Sequence, residues 1–353
     1  MRCIDCTYTG RATPEPNLPG PPGLTWRSPV TSHRLRRPLQ LVGVVSVAAA
    51  LLVSGCSSKK ATSTGSSTTP TTGASSASAP TTGSVAPSTG GASGQDLNAM
   101  LPASIKSAGT INIATDASYA PNEFFDTDGK TIIGMDVDLG NAIAEKLGVK
   151  ANFQNVTFDN IIPGLAGGKY DLGMSSFTDT KEREKTVDFV TYFSAGESLI
   201  VPKGNPKGVT GPDLTLCGLT VAVEKGTTEE AEIPDLSKKC TGAAKKAVTA
   251  LSTDDQNAAN LALQSGRADV VSADSPVAEY AVKQSGGKFE IAGKSYETAP
   301  YGIAVPKNTG DFAKAIQSAL TVLMADGTYK QILEKWGIAD GGIDSPTING
   351  ATS

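Results

Sequence analysis

The stretch 171–189 reads DLGMSSFTDTKEREKTVDF. It begins with the end of an apolar strand, continues with hydroxyl side chains and then reaches Arg183. The hydroxyl residues are Ser175, Ser176, Thr178 and Thr180. In a parallel α/β sheet, ligands lie where the carboxyl ends of strands meet helix amino termini, and free N–H groups there accept anions. Because an arginine fork matches a carboxylate, the stretch predicts a site for a small carboxylate.

The same stretch has a second interpretation, a helix start without any function. Its charged run, KEREK at 181–185, is typical of a capped and solvated helix. The pattern of the surrounding chain decides between the two interpretations.

Strand and helix patterns alternate on both sides of this stretch. The predicted strands of the first series lie at 110–115, 150–156 and 170–174, with a helix capped by Asp136 and a short helix at 158–167. The second series has predicted strands at 219–223, 247–251, 268–273 and 289–292, and helices from 226, at 254–264 and at 275–284. Such alternation predicts two α/β lobes.

Two further extended runs and two helices complete the predicted fold. The runs lie at 198–202 and 301–305, and the helices at 312–323 and 329–336. If the last helices pack on the first lobe, the chain crosses between the lobes twice, near 197–203 and near 296–302. The domain bounds that follow are 96–200 plus 299–343 for lobe 1, 201–298 for lobe 2 and a C-terminal tail at 344–353.

Charge and histidine content exclude several classes of function. Six of the 31 basic and two of the 35 acidic residues precede Cys56, which leaves 25 basic and 33 acidic residues, a net charge of −8. An acidic chain is a poor partner for nucleic acid. The single histidine, His33, lies before Cys56, which excludes a Ser-His-Asp triad and an HExxH zinc site from the rest. We expect no cofactor and no metal, since we find no GxGxxG and no complete P-loop either.

The N-terminal 55 residues have the pattern of an export signal with an extension. Cys3 and Cys6 form a CxxC without the second pair of a zinc site. A basic segment at 34–37 and an apolar run at 39–53 then form a signal peptide, too short to span a membrane. The sequence VSGC at 53–56 resembles a bacterial lipobox, in which Cys56 is acylated; an ordinary cleavage site is the alternative. Because signal peptides begin near their basic region, we hypothesise that translation starts at Val30 rather than Met1.

Residues 56–95 form a predicted flexible linker. Almost all of them are Ser, Thr, Gly, Ala or Pro, which bury too little apolar surface to fold. The typical span of such a linker is on the order of 35 Å. It would hold a folded domain away from a membrane to which Cys56 is anchored.

The folded part contains two cysteines, Cys217 and Cys240, both in lobe 2. In a chain exported to an oxidising compartment, they are expected to form a disulfide bond, which would add roughly 3 kcal/mol of stability. Two free buried thiols are the alternative.

At this point the chain resembles the extracellular solute-binding proteins of ABC importers, and more narrowly the family that binds polar amino acids. The resemblance extends over about residues 105–338. It rests on eight segments in order: TDASYAPNEF (115–124), GMDVDLGNAIAEKLG (134–148), TFDNIIPGLAGGKYDL (157–172), SSFTDTKEREKTVDF (175–189), VAVEKGTTEE (221–230), LQSGRADVVSAD (263–274), YGIAVPKN (301–308) and DGTYKQILEKWG (326–337).

The resemblance implies the type II periplasmic-binding-protein-like fold. In this α/β fold, each of two lobes is a sheet flanked by helices, and a two-stranded hinge joins them. It also implies a monomeric receptor rather than an enzyme, which closes on an amino acid and delivers it to a membrane permease and its ATPase. We expect this receptor on the extracellular face of the cell membrane.

The resemblance also implies roles for the ligand-binding residues. Arg183 would bind the ligand carboxylate and Asp274 its ammonium group. Donors from Thr178 and Ser176 would help, and Asp116 would meet the polar end of the ligand side chain. The other expected site residues are Tyr119 and Phe158, which would cover the aliphatic stem, Ser175, and the helix start at Gly226, Thr227 and Thr228.

Each role has a structural alternative. Thr227 with Glu230 is also a capping box, Asp274 before Ser-Pro could cap a helix, and the two aromatic residues could belong to the core. Glu123 lies in a neighbouring loop and is the weakest candidate.

Asp116 favours a ligand that ends in an amide, guanidinium or ammonium group, such as glutamine, arginine or lysine. Two other functions stay open, a dehydratase of the same fold and the ligand-binding part of a sensor.

Overall fold

The computed structural model describes residues 94–352. The expected signal peptide, Cys56 and nearly all of the linker lie outside these residues. Within 94–352, no helix combines the length and the apolar character needed to cross a membrane.

The helices and strands follow the predicted alternation. In chain order, the helices are α1 (Gly94–Ala99), α2 (Ala103–Ala108), α3 (Met135–Lys146), α4 (Phe158–Ala166), α5 (Thr228–Gly242), α6 (Gln256–Gln264), α7 (Ser275–Gln284), α8 (Phe312–Ala325) and α9 (Thr328–Trp336). The strands are β1 (Thr110–Thr115), β2 (Ser118–Tyr119), β3 (Glu123–Phe125), β4 (Ile132–Ile133), β5 (Lys150–Asn155), β6 (Leu172–Gly173), β7 (Val187–Pro202), β8 (Thr220–Glu224), β9 (Thr249–Thr253), β10 (Val270–Asp274) and β11 (Phe289–Pro306).

One eight-stranded sheet runs through both lobes, in the order β5-β1-β6-β11-β7-β10-β8-β9. The two central strands, β7 and β11, are antiparallel and long enough to belong to both lobes. On one side, β1 pairs in parallel with β5 and β6. On the other, β8 pairs in parallel with β9 and β10. The predicted two-stranded hinge is therefore present, and it joins the two half-sheets into one.

Register irregularities mark the middle of the hinge. The pairing of β11 with β7 shifts between Ala292 and Tyr296 and again between Tyr296 and Ala299. The sequence predicts separate strands at 289–292 and 301–305, but the structure makes them two ends of β11. The same holds for 198–202, which is the last part of β7.

Helix periodicity explains how the first lobe is packed. Leu139, Ile143 and Leu147 recur at four-residue spacing, and all three are buried. They share a core with the apolar face of α8 and with Leu333 of α9. The last two helices thus pack on lobe 1, as the sequence predicted.

The sequence assigned the wrong role to Asp136. We expected it to cap α3, but Gly134 occupies the N-cap position and Asp136 lies inside the first turn, fully buried. Its carboxylate accepts hydrogen bonds from the Ser176 N–H at 3.0 Å and the Tyr192 hydroxyl at 2.9 Å. A negative charge in the first helical turn is favourable, which is why the pattern looked like a cap.

The predicted helix at 181–185 is only a short 3₁₀ turn, Arg183–Lys185. The Thr180 hydroxyl accepts a hydrogen bond from the Arg183 N–H at 3.2 Å. The chain enters β7 at Val187, which leaves no room for a longer helix.

The segment that we expected to be a C-terminal tail packs on lobe 1. Thr347 exchanges two backbone and side-chain hydrogen bonds with Thr191, at 2.8 and 2.9 Å. Asn349 accepts from the Phe189 N–H and donates to Asp188, and the Gly350 N–H donates to Asp179 at 2.7 Å. Folded structure therefore continues beyond residue 343.

The structure joins Cys217 and Cys240 by a disulfide bond, as predicted. Cys240 lies at the end of α5 and belongs to the core of lobe 2.

Candidate ligand-binding cleft between the lobes

The two lobes touch each other in front of the hinge. The Arg183 Nη2 atom donates to the carbonyl oxygen of Gly226 at 2.9 Å. The Gln256 N–H at the start of α6 donates to the Ser118 hydroxyl at 3.1 Å. These contacts show a closed arrangement of the lobes.

Gly226 permits the closest approach of the two backbones. Its φ is +79°, and a Cβ atom built there would lie 3.2 Å from both Cα and Cβ of Asp159 in α4. A side chain at residue 226 would therefore both strain the backbone and push the lobes apart.

Most of the predicted site residues line one small cavity between the lobes. Its volume is about 10 Å³, enough for one water molecule. A ligand larger than water can therefore enter only when the lobes move apart. The lining residues are Tyr119, Phe158, Ser176, Thr178, Arg183, Thr227, Thr228, Glu229 and Asp274.

Arg183 is held by backbone carbonyls and aromatic rings. Its Nη1 atom donates to the carbonyl oxygen of Thr178 at 2.8 Å, in addition to the contact with Gly226. Its guanidinium carbon lies 5.4 Å from the ring centre of Phe158 and 5.5 Å from that of Phe177. Cation–π contacts of this kind orient the guanidinium plane. Among the residues that line the small cavity, Arg183 is the only basic one.

A buried acidic network supports the serine pair beneath the cleft. Ser175 Oγ accepts from the Asp116 N–H at 2.8 Å and donates to Glu123 Oε1 at 3.0 Å. Ser176 Oγ donates to Glu123 Oε2 at 3.2 Å. The Ser175 hydroxyl is thus used internally and does not line the cavity. Glu123, fully buried, is structural in this arrangement.

Ser176 is held in an unusual backbone conformation, with φ +51°. Its N–H donates to Asp136, and its hydroxyl accepts from Asn122 at 2.9 Å. Burial and the neighbouring carboxylate raise the pKa of Glu123 well above its usual range, and burial raises that of Asp136 to about 6. A proton shared between these two acids would leave the network with one negative charge instead of two.

The start of α5 forms the predicted capping box in part, because Glu230 reaches back to the Gly226 N–H rather than to the N–H of the N-cap residue Thr227. Thr227 Oγ1 accepts from the Glu230 N–H at 3.2 Å, and Glu230 Oε2 accepts from the Gly226 N–H at 2.8 Å. The Gly226 N–H is therefore occupied, and it is the carbonyl oxygen of Gly226 that faces Arg183. Thr227 and Thr228 line the cavity from this helix start.

Asp274 and Glu229 make one side of the cavity acidic. Asp274 precedes α7 at the N-cap position, but its side chain makes no capping hydrogen bond. Burial, and after it the charge of Glu229, raise the pKa of Asp274, while Tyr301 and Arg183 oppose this shift. Both carboxyl groups would be compensated by an ammonium group between the lobes.

Asp116 does not line the small cavity; with Glu224, a residue that we did not predict, it lies beside Tyr119, which does. Asp116 Oδ2 accepts from the Phe158 N–H at 3.0 Å. Glu224, at the end of β8 in lobe 2, has a side chain in hydrogen-bond reach of the Asp116 carboxyl. Neither Glu224 oxygen makes a well-formed hydrogen bond among the described residues, and neither does the Tyr119 hydroxyl, although the two side chains lie close to each other.

A larger cavity of about 420 Å³ adjoins the cleft on the hinge side. It shares Thr178 and Thr228 with the small cavity and is lined by Glu197 of β7 and Glu232 of α5. Burial and neighbouring acids raise the pKa of Glu197 to about 10 and that of Glu232 to about 7. Within 94–352, no cluster of three or more His, Cys, Asp or Glu side chains is arranged to hold a metal ion.

Sequence reasoning missed Glu224, Glu229 and Glu197. Glu224 ends the parallel strand β8 as Asp274 ends β10, so the strand-end rule could have identified it. Glu229 was hidden in the first turn of α5, where an acid is common without any ligand. Glu197 carries no sequence signal, because it lies in the middle of a long strand.

Comparison with known proteins agrees with this geometry. The sequence model of the bacterial extracellular solute-binding proteins, family 3, matches residues 111–339. The arginine-binding protein ArgT of Corynebacterium glutamicum is 34% identical over 255 residues, 72% of this chain and 83% of that protein.

Two solved structures extend the comparison. An ancestral arginine-binding protein bound to arginine is 39% identical, with a TM-score of 0.60, covering 65% of this chain and 98% of that chain. The second is the ancestral amino acid-binding protein AncCDT-1, described as a precursor of cyclohexadienyl dehydratase. It is 34% identical, with a TM-score of 0.60, and the match covers 66% of this chain and 97% of that chain. The chain therefore belongs to the bacterial extracellular solute-binding proteins, family 3.

Proposed function

We propose that this protein is an exported receptor that binds a basic amino acid, arginine first, between its two lobes. Lysine and the polar amino acid glutamine are the next candidates. Closure of the lobes retains the ligand, and the closed receptor delivers it to the permease of an ABC transporter.

The pair formed by Asp116 and Glu224 carries this proposal. Two buried carboxyl groups from opposite lobes meet at one end of the cleft, next to the Tyr119 hydroxyl. A planar guanidinium donates several hydrogen bonds and neutralises carboxylates, so it would satisfy all three groups. A ligand that ends in a carboxylate would add a third acid.

The opposite end of the cleft suits the α-carboxylate and α-ammonium groups. Arg183 Nη2, now on the Gly226 carbonyl, is available to a ligand carboxylate as soon as the lobes separate. Asp274 and Glu229 would bind the ammonium group. Because the two ends of the ligand need partners from both lobes, only the closed form satisfies them, and binding selects closure.

The names of the related proteins support the ligand class. The protein from Corynebacterium glutamicum and the ancestral protein are both named for arginine binding. The lipid anchor at Cys56 and the linker at 56–95 rest on the sequence pattern, and they would keep the receptor at the outer face of the membrane near its permease.

Thermal unfolding of the purified protein, stripped of co-purified ligand, tests the proposal against a panel of the twenty amino acids. A ligand at about 100 times its dissociation constant adds roughly 2.7 kcal/mol, a shift of several degrees. We expect the largest shift with arginine or lysine and none in Arg183→Ala. Tighter binding of glutamate than of arginine, lysine or glutamine would refute the ligand class.

A dehydratase is the second candidate, and one observation favours it. Glu224 is buried and, with a pKa raised to about 10 chiefly by desolvation, could serve as a general acid in the cleft. Turnover of prephenate or arogenate by the purified protein would establish the enzyme, and absence of turnover with tight amino acid binding would exclude it.

A further inference from the structure

We propose that Asp116 and Glu224 act as a proton-exchanging charge sensor for the ligand side chain, so that a cationic side chain enters as one proton leaves. This inference rests on the proposed function and adds a regulatory property to the same site. It concerns the two acids beside Tyr119.

The geometry places two acids where neither can be hydrated. Glu224 is 1% exposed and Asp116 4% exposed. Asp116 accepts from the Phe158 N–H at 3.0 Å and lies near the Ser118 hydroxyl, and the two carboxyl groups are in hydrogen-bond reach of each other. Since neither Glu224 oxygen makes a well-formed hydrogen bond in the part of the chain that the structure describes, and the Tyr119 hydroxyl beside it carries no charge, the carboxyl group depends on a proton or a cation.

The groups around the pair do not supply that cation. Tyr119 and Ser118 of β2 face it with hydroxyl groups, and Asp255, before α6, adds a further negative charge. Lys225 is the nearest basic residue in sequence, but its Nζ atom is paired with Asp254 at the surface. Burial and these acids hold the pKa of Asp116 at about 6 and that of Glu224 at about 10.

At neutral pH the pair therefore carries one proton, on Glu224, and one negative charge. A guanidinium or ammonium group placed between the carboxyl groups favours the ionised form of both. The O–H bond of Glu224 then breaks heterolytically, the proton passes to the solvent, and the carboxylate keeps the electron pair. A neutral amide causes no proton release, because its oxygen can accept a hydrogen bond from the protonated Glu224.

Linkage fixes the sign of the pH dependence. The cation binds the form that has lost the proton, so affinity for arginine rises with pH while the free site is still protonated. Between the pKa values of the bound and free site, the rise is about tenfold per pH unit. Affinity for a neutral analogue stays flat over the same range.

Isothermal titration calorimetry in buffers with different ionisation enthalpies tests the proposal on the purified protein. At pH 7.5 we expect about one proton released per arginine bound and none with citrulline, its neutral isostere. The dissociation constant for arginine should fall about tenfold from pH 6.5 to 7.5. This comparison needs no variant, so a folding defect cannot obscure it.

Two variants assign the released proton. In Glu224→Gln, proton release and the pH slope should both disappear. In Asp311→Asn, which removes an exposed acid of lobe 1 that is paired with Lys314, both should persist. Arginine binding without proton release and with a flat pH profile would overturn the charge sensor and leave the proposed function intact. Absence of binding by any basic amino acid would overturn both.

Discussion

Arg183 of lobe 1 donates a hydrogen bond to the carbonyl oxygen of Gly226 in lobe 2, over 2.9 Å. The residue expected to bind the ligand carboxylate thus also makes a direct contact between the closed lobes. A ligand carboxylate would compete with the Gly226 carbonyl for this donor. The ligand must then itself provide contacts between the lobes in place of the lost hydrogen bond. Under the proposed function, closure and recognition would therefore depend on the same side chain.

Gly226→Ala should weaken ligand binding more than it lowers stability. The added Cβ atom would approach Asp159 to 3.2 Å only when the lobes are closed, so the variant disfavours the closed form. We expect at least a tenfold rise in the dissociation constant for arginine, measured by calorimetry.

Gly266→Ala is the matched control for this substitution. Gly266 has a similar φ of +73°, but a Cβ atom added there would meet no atom of the described chain within 4 Å, its immediate chain neighbours aside. It should lose about 1 kcal/mol of stability through backbone strain and keep its affinity. Equal affinity losses in both variants would contradict the role of Gly226 in closure.

Asp136→Ala should destabilise the protein by about 3 kcal/mol, because it leaves the Ser176 N–H and the Tyr192 hydroxyl buried without a partner. Tyr192→Phe removes one of those two groups. In the Asp136→Ala background, Tyr192→Phe should therefore lower the free energy of unfolding by less than it does in the wild type, as measured by urea unfolding. Strictly additive costs would show that the Tyr192 contact contributes nothing.

Asn349→Ala tests the C-terminal segment. The Asn349 side chain makes two hydrogen bonds, with Phe189 and Asp188, so their loss should cost about 2 kcal/mol. Asn308→Ala is the control. Asn308 has a φ of +66°, close to the +57° of Asn349, and its side chain makes no hydrogen bond within 94–352. The difference between the two variants in the free energy of unfolding isolates the hydrogen bonds, and no difference would show that the segment is not needed for stability.

The paired replacement Cys217→Ser with Cys240→Ser should lower the free energy of unfolding by roughly 3 kcal/mol, because the disulfide closes a loop over a sequence separation of 23. Ligand affinity should stay unchanged, because neither cysteine lines the cleft. Denaturant unfolding and calorimetry on the same sample check both statements, and a large loss of affinity would contradict the second.

Periodic patterns were sufficient for most of the fold. The buried run of β1 and the four-residue spacing of Leu139, Ile143 and Leu147 predicted the correct elements because burial alone determines them. Long-range strand pairing was harder to predict, because no local sequence pattern indicates that 289–292 and 301–305 belong to one strand that crosses the hinge.

The site was predicted in part for a similar reason. Arg183, Thr178 and Asp274 stand in recognisable segments, and the fold brings them to one cavity. The strand-end position of Glu224 is visible in the sequence, but its pairing with Asp116 is not, because the two residues are distant in the chain. The hydrogen bond from Asn349 to Asp188 is hidden for the same reason. Asp116 and Glu224 come from different lobes, so their contact forms only when the lobes close.

The most direct test of the account compares arginine with agmatine, its decarboxylated analogue, by calorimetry on wild type and Arg183→Ala. Two charge-assisted hydrogen bonds to the carboxylate would contribute about 3 kcal/mol or more, so the wild type should bind agmatine at least a hundredfold more weakly. In Arg183→Ala, the two ligands should bind with similar, low affinity. Equal affinity of the wild type for both ligands, or undiminished arginine binding in Arg183→Ala, would contradict the account.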